Sequence, residues 1–207
     1  MVKQKVLGIF CHPDDEVLAG WPLFQSDEYE KHLIICCSDK ERNRPNRKLA
    51  LQEVCKQENI NLVVCLDEPN DFYAAATRRA DYLLTDSVNN IEQHLESAIK
   101  AIKPDFIITH SVVGEYGHGS HRLLFEIVSQ LELKNKPKIV ITDICSKSNH
   151  RSSEEIPKSV RKAYYNNVIC NSRLDYSFYN RCKLIYDKFN SWTWSQEPVD
   201  KCNLYIL

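Results

Sequence analysis

Two short clusters carry the residue types that metal-assisted hydrolysis needs. The first is His12-Pro13-Asp14-Asp15-Glu16, directly after the apolar run Val6-Leu7-Gly8-Ile9-Phe10-Cys11. That run reads as a buried strand. The cluster therefore falls beyond a strand's C-terminal end, where parallel α/β sheets bind their ligands. His12 and Asp15 stand three apart in a turn that Pro13 stiffens, so both side chains can converge on one ion. Asp14, between them, points elsewhere and can take a proton. The second cluster is Gly117-His118-Gly119-Ser120-His121, which follows a later apolar run, Phe106 to Thr109. One of its histidines can supply a third ligand, and the other can stabilise an oxyanion or protonate a leaving amine. Tyr116 offers a phenol able to polarise a carbonyl. A hydrolytic zinc takes three such ligands and keeps one position for water, whose pKa then falls toward about 7. Taken alone, three acidic residues also suit a helix N-terminus, and loop histidines are common. It is the pairing of both clusters at strand ends that points to a site. Neither cluster is a His-Glu-x-x-His zincin helix.

The elements that must position these clusters alternate. After the first strand, Glu16 to Phe24 reads as a short helix, and Leu33 to Cys37 as a second strand. Residues 38–46 read as a polar, basic loop. Arg47 to Glu58 is helical, with Ala50, Leu51, Val54 and Cys55 on one face, and Leu62 to Leu66 is a third strand. Residues 67–85 fit no single pattern. Val88 to Ile102 has the cleanest helical spacing, and Pro104 ends it. Phe106 to Thr109 is the fourth strand, Arg122 to Leu133 a helix, and Lys138 to Thr142 the fifth strand. This order predicts an α/β fold, a Rossmann-like three-layer α/β/α sandwich with a mostly parallel sheet. We expect one domain over residues 1–207. Its core spans 1–145, and an aromatic-rich extension, 146–207, packs on it. Within the extension, Arg181 to Phe189 reads as a helix and Asn203 to Leu207 as an added strand.

Composition narrows the classes. The chain has 207 residues and a formal net charge of −1. That is enough length for one full core and offers no basic surplus for nucleic acid. Nine cysteines are scattered without a Cys-x-x-Cys pair, so thiolate zinc knuckles are not expected. Cys11, Cys36, Cys37 and Cys65 lie in strand runs and read as small buried hydrophobes, which favours a reducing cytoplasm. There is no apolar run near the roughly 20 residues of a membrane span, and the N-terminus does not read as a signal peptide.

With these residues in view, the chain resembles the PIG-L/LmbE family of zinc-dependent N-acetylglucosaminyl deacetylases. His12 to Glu16 matches that family's first motif in full. Ile102 to His110 is similar to its Arg-Pro-Asp-strand-Thr-His segment, and Gly114 to His121 to its second motif, which often ends His-Pro-Asp-His. The resemblance implies metal ligands at His12, Asp15 and His121 and a general base at Asp14. It implies His118 and Tyr116 as stabilisers of the tetrahedral intermediate, Zn2+ as the metal with other divalent transition metals possible, and an N-acetylated sugar or sugar conjugate as substrate. This sequence departs from the pattern at Gly119 and Ser120, where the family has Pro and Asp. The carboxylate partner of His121 is therefore expected to be missing. Lys48 and Leu51 stand where the family often has Arg and Glu at a helix start.

Other residues could reach a substrate. Asp71 could bind a sugar hydroxyl. Arg42 and Arg44, with Lys40 and Arg47, could meet a phosphate, although a solvated basic loop is the plainer expectation. Trp192-Thr193-Trp194 could stack on a sugar face, but packing on the sheet edge or in a homo-oligomer interface is expected. The leading function is removal of an N-acetyl group from an amino sugar. Alternatives are an amidase for a larger acyl group, which needs an open acyl pocket, and a metal or sugar binder without turnover.

Overall fold

The computed structural model describes residues 2–38, 46–68, 81–133, 137–144 and 156–207. Their strands form one sheet in the order β3-β2-β1-β4-β5-β7-β6. These are β1 (Gln4–Phe10), β2 (Tyr29–Ile35), β3 (Ile60–Cys65), β4 (Phe106–Thr109), β5 (Lys138–Thr142), β6 (Val168–Arg173) and β7 (Lys201–Ile206). The first five pair in parallel. Strand β7 runs antiparallel to both β5 and β6. The fold is the expected mostly parallel α/β/α sandwich.

Strand β1 shows why the layers form. It lies between β2 and β4 and is buried on both faces, as a central parallel strand must be. Val6 and Phe10 point to one side, where they meet α3 (Asn46–Gln57) through Ala50, Leu51 and Val54. Leu7 and Ile9 point to the other, where they meet α4 (Asp81–Ile102) through Ile91, Leu95 and Ile99, and α5 (Gly119–Gln130) through Leu124 and Val128. Between them Gly8 leaves room for a ring: a Cβ there would stand 2.5 Å from Cζ of Phe24.

Several boundaries differ from expectation. The helix expected over Glu16 to Phe24 is two short turns, α1 (Asp15–Leu18) and α2 (Trp21–Phe24). Pro22 has no N–H to continue the ladder from Leu18. Helix α4 begins seven residues before the expected Val88, at Asp81. Helix α7 (Tyr176–Lys188) starts earlier than Arg181, because Asp175 caps it by accepting from the Ser177 N–H at 2.8 Å. Strand β6 and helix α6 (Lys158–Tyr164) were not expected at all. Both are exposed, so neither carries the apolar periodicity that marks a buried element. The extension is part of the same sheet through β7, and α7 packs on α3.

Candidate active site

The order β3-β2-β1-β4-β5 reverses direction between β1 and β4, so a crevice forms beyond their C-terminal ends. Both clusters lie there. The two strand ends are tied together, since the Cys11 N–H donates to His110 Nε2 at 2.9 Å and the Thr109 hydroxyl to the Ile9 carbonyl at 2.9 Å.

After β1 the chain turns sharply. Asp14 has φ of 96°, a conformation L-residues avoid. Two contacts hold it: the His12 N–H donates to Asp15 Oδ2 at 2.7 Å, and the Asp14 N–H to Glu16 Oε2 at 2.9 Å. The turn sends adjacent carboxylates to different tasks. Asp15 faces the histidines. His12 Nδ1 and His121 Nε2 stand 3.2 Å apart, and Asp15 Oδ2 lies 3.2 Å from the first and 3.4 Å from the second. Ligands held 2.0–2.1 Å from a tetrahedral zinc are about 3.3 Å from one another. The triangle has that edge, and its donor set suits zinc.

Two other trios are near. Cys11, His110 and His121 come within 4.8 Å of one another, but burial pushes the Cys11 thiol well up, and His110 Nε2 already accepts a backbone N–H. His12, His118 and His121 also come within 4.8 Å. Asp15 Oδ2, 3.2 and 3.4 Å from the two imidazole nitrogens, brings the negative charge that a divalent ion favours. Burial raises the Asp15 carboxyl, but its contacts with His121, His110 and His12 hold it well below the usual carboxylate range.

His121 has a carboxylate partner after all, which corrects the expectation drawn from Ser120. Its Nδ1 lies 2.7 Å from Glu115 Oε2, and the same oxygen lies 2.9 Å from His110 Nδ1. Protons on both Nδ1 atoms leave His121 Nε2 with its lone pair toward His12 and Asp15. Glu115 is reached by a turn, Gly114–Gly117, in which Gly114 has φ of 66° and Glu115 φ of 53°. The Ser111 N–H donates to Glu115 Oε1 at 2.9 Å. Burial alone would raise the Glu115 carboxyl, but His110 and His121 bring it down to about 2.

Asp14 faces the other way. Its Oδ1 accepts from Arg47 Nη2 at 2.6 Å and its Oδ2 from the Thr193 hydroxyl at 2.6 Å. Burial raises its proton affinity, and Arg47 opposes the rise only in part. Behind it, Glu16 is fully buried and accepts from the Tyr186 hydroxyl at 2.6 Å. Burial lifts the Glu16 carboxyl to about 8, against that hydrogen bond. His118 and Tyr116 close the cluster: the His118 ring lies 5.1 Å from His12 and 4.5 Å from His121, and Tyr116 lies 5.4 Å from His121. Burial and the neighbouring imidazoles pull His118 down to about 4, so its ring is neutral near pH 7. Its Nδ1 is buried without a hydrogen-bond partner.

The structure thus gathers His12, Asp14, Asp15, Tyr116, His118 and His121. Asp71, Arg42 and Arg44 lie outside the described residues. Arg47 corrects the reading of a solvated basic cluster: it is buried against Asp14. The aromatic tail divides by alternation. Trp192 packs on Tyr179 and Tyr186, Thr193 turns to Asp14, and Trp194 meets Tyr116. Glu115 and His110 are not read from the sequence as site residues, and Arg47 and Thr193 only as possible substrate contacts, not as partners of Asp14. Glu115 and His110 had a usable signal, since they lie in the Gly114–His121 and Ile102–His110 stretches that resemble family segments.

Comparison with known proteins follows from this geometry. Curated proteins give no significant sequence match. A family model described as PIG-L, GlcNAc-PI de-N-acetylase, matches residues 7–132. Among solved structures, a deacetylase–teicoplanin complex from teicoplanin biosynthesis is 11% identical, with a TM-score of 0.63 and 99% of each chain covered. A zinc-inhibited form of teicoplanin deacetylase Orf2 is 10% identical, with a TM-score of 0.63, covering 98% of this chain and 97% of that one. The A40926 pseudoaglycone deacetylase Dbv21 is 13% identical, with a TM-score of 0.58, covering 99% and 97%. At these identities the structures establish the shared fold, and the family match adds the lineage: this chain belongs to the PIG-L family of de-N-acetylases.

Proposed function

We propose that the protein is a zinc-dependent hydrolase that removes the N-acetyl group from an N-acetylamino sugar or sugar conjugate. The observation that carries this is the division of labour between adjacent carboxylates. Asp15 completes a three-donor triangle with His12 and His121, while Asp14 is held out of it by Arg47 and Thr193. A binding protein has no need of that second, separately anchored carboxylate.

A zinc or similar divalent ion held by His12, Asp15 and His121 would polarise the amide carbonyl and make water nucleophilic near neutral pH. Asp14 takes the proton of the attacking water. Each of its oxygens accepts one hydrogen bond and keeps a second lone pair for this task. Asp14 then returns the proton to the amide nitrogen as the C–N bond breaks, leaving acetate and a free amine. His118, neutral, and Tyr116, whose phenol burial keeps protonated, can donate hydrogen bonds to the oxyanion.

The family model is named for a GlcNAc-PI de-N-acetylase, and the solved neighbours are described as deacetylases. Both support an acylated amino sugar as the substrate here, within glycan or glycoconjugate biosynthesis. No helix among the described residues is long and apolar enough to cross a membrane. Buried thiols at Cys11, Cys36, Cys55, Cys182 and Cys202 support a reducing, cytoplasmic setting. The test is acetate release by zinc-loaded protein from N-acetylglucosamine in free, nucleotide-linked and lipid-linked form, with Asp14→Asn as control. Release that the control abolishes is the expected result. Zinc-loaded protein that releases nothing from any carrier would sink the reading.

A further inference from the structure

The β6 edge of the sheet joins positive charge to exposed apolar side chains. Residues 156–173, outside the stretch matched by the family model, hold four basic residues and no acidic one, in a chain whose net charge is −1. Helix α6 buries none of its residues, and every residue of β6 is at least partly exposed. Lys158 and Lys162 stand one turn apart at exposed positions of α6, where like charges repel. Neither forms an ion pair among the described residues. Asp143, just beyond β5, is taken up by Asn203 and Tyr205. Val168 and Ile169 follow at 54% and 43% exposure, two adjacent large apolar side chains left in solvent. Tyr205 joins the two parts. Tyr165, at the end of α6, sets its ring 5.0 Å from the Tyr205 ring, and Val168 pairs with Tyr205 across the sheet. Tyr164 anchors α6 on Phe125 of α5, so the helix is fixed in place beside the strand.

A strand from another protein fits this edge poorly. Ile169 is an extra residue between the pairs Val168–Tyr205 and Cys170–Leu204, and such a bulge interrupts edge pairing. Arg173 places a charge further along the same edge. A second copy docked here would set lysines against lysines. An anionic bilayer surface demands neither strand register nor a fixed shape. It attracts basic side chains, and its headgroup–acyl boundary takes in apolar ones. We infer that this corner docks the protein on an anionic lipid surface, with Lys158 and Lys162 toward the lipid phosphates and Val168 and Ile169 in the acyl boundary. Each basic side chain near such a surface strengthens binding about fivefold. Two lysines and two apolar side chains therefore give a reversible attachment, not a permanent anchor. The inference uses none of the residues of the candidate active site and stands apart from the hydrolase reading.

The experiment is co-sedimentation of the full chain with two kinds of vesicle: phosphatidylcholine alone, and phosphatidylcholine mixed equally with phosphatidylglycerol. The parent is compared with two double variants, Lys158→Gln with Lys162→Gln, and Val168→Ser with Ile169→Ser. All four positions are exposed, and thermal melts check that each variant folds as the parent does. The parent should bind the anionic vesicles and leave the neutral ones. The lysine variant should bind about 25-fold more weakly, and the apolar variant at least about tenfold more weakly. A parent that stays in solution with both vesicles, or that binds them equally, overturns the inference. So does a parent whose binding both variants retain in full, because the contact then lies elsewhere on the molecule. If the parent instead self-associates in analytical ultracentrifugation and the apolar variant is monomeric, the corner is a contact between copies and the lipid reading fails. Vesicle binding is read without turnover, so none of these outcomes depends on whether the protein cleaves an amide.

Discussion

Residues 7–132 and residues 156–207 both reach the Asp14–Glu16 turn, and they do so by different routes. The first region builds the metal triangle from strand ends and helix starts, with every contact made at the reversal between β1 and β4. The second sends two hydroxyls inward from an outer layer: Thr193 to Asp14 and Tyr186 to Glu16. The first region therefore supplies the candidate ligands, the candidate base with Arg47 against it, and Glu115 behind His121. The second adds the Thr193 hydroxyl to the Asp14 carboxylate and sets Trp194 against Tyr116. Asp14 is held from both regions, by Arg47 of the first and Thr193 of the second. Only the first region matches the family model.

If the first region carries the ligands and the base, breaking it should hurt turnover most. Asp14→Asn keeps the shape but removes the base. It should lower acetate release by about 10²–10⁴-fold, with zinc content by mass spectrometry unchanged. Equal loss of zinc would mean that Asp14 belongs to the triangle instead. Glu115→Gln removes the charge behind His121 and should weaken zinc binding by about 10–100-fold in a competition titration with a chromogenic chelator. Unchanged affinity would show that Glu115 does not orient the ligand.

The second region should show a milder signature. Thr193→Val deletes one hydrogen bond to a carboxylate, a bond of about 1.5–3 kcal/mol. It should reduce kcat by roughly tenfold or more and spare zinc affinity; a change in affinity instead would blur the two regions into one. Tyr186→Phe leaves the volume but strips the buried Glu16 carboxyl of a partner. It should destabilise the fold by about 1–3 kcal/mol in urea denaturation. Asp175→Ala, remote from the site, should cost about 1 kcal/mol through loss of the α7 cap. Hydrogen bonds to Ser177 hold the Asp175 carboxyl below its ordinary value of 3.8. Its contribution is therefore full above that value and fades as the pH falls through the lowered one. An Asp175→Ala penalty that persists at the lowest pH would assign the effect to something other than the charged cap.

Much of this was legible along the chain. Apolar runs such as Leu33 to Cys37 and Ile139 to Ile141 announce parallel strands because burial on both faces favours continuous apolar residues. Helix α4 announces itself because one buried stripe must recur at the helical period. Exposed β6 and α6 bury nothing at that period and leave no such trace. The His12–Glu16 and Gly114–His121 stretches were legible for another reason. A metal triangle needs particular donor atoms, and few residue types supply them.

The partners of those donors were a different matter. Ser120 suggested a missing carboxylate, yet Glu115 fills the role from within its own turn, at a positive φ that periodicity does not reveal. Arg47 looked like one more charge in a basic stretch until helix α3 placed it against Asp14, 33 residues earlier in the chain. Thr193 lies 179 residues from the same carboxylate. The sequence by itself determined the alternation of strands and helices and the residue types of the two clusters, because both follow from local spacing and residue chemistry. Which lone pairs those donors turn inward and which charges hold them were decided only in the folded structure. They depend on contacts across the sheet, and local spacing carries no information about those.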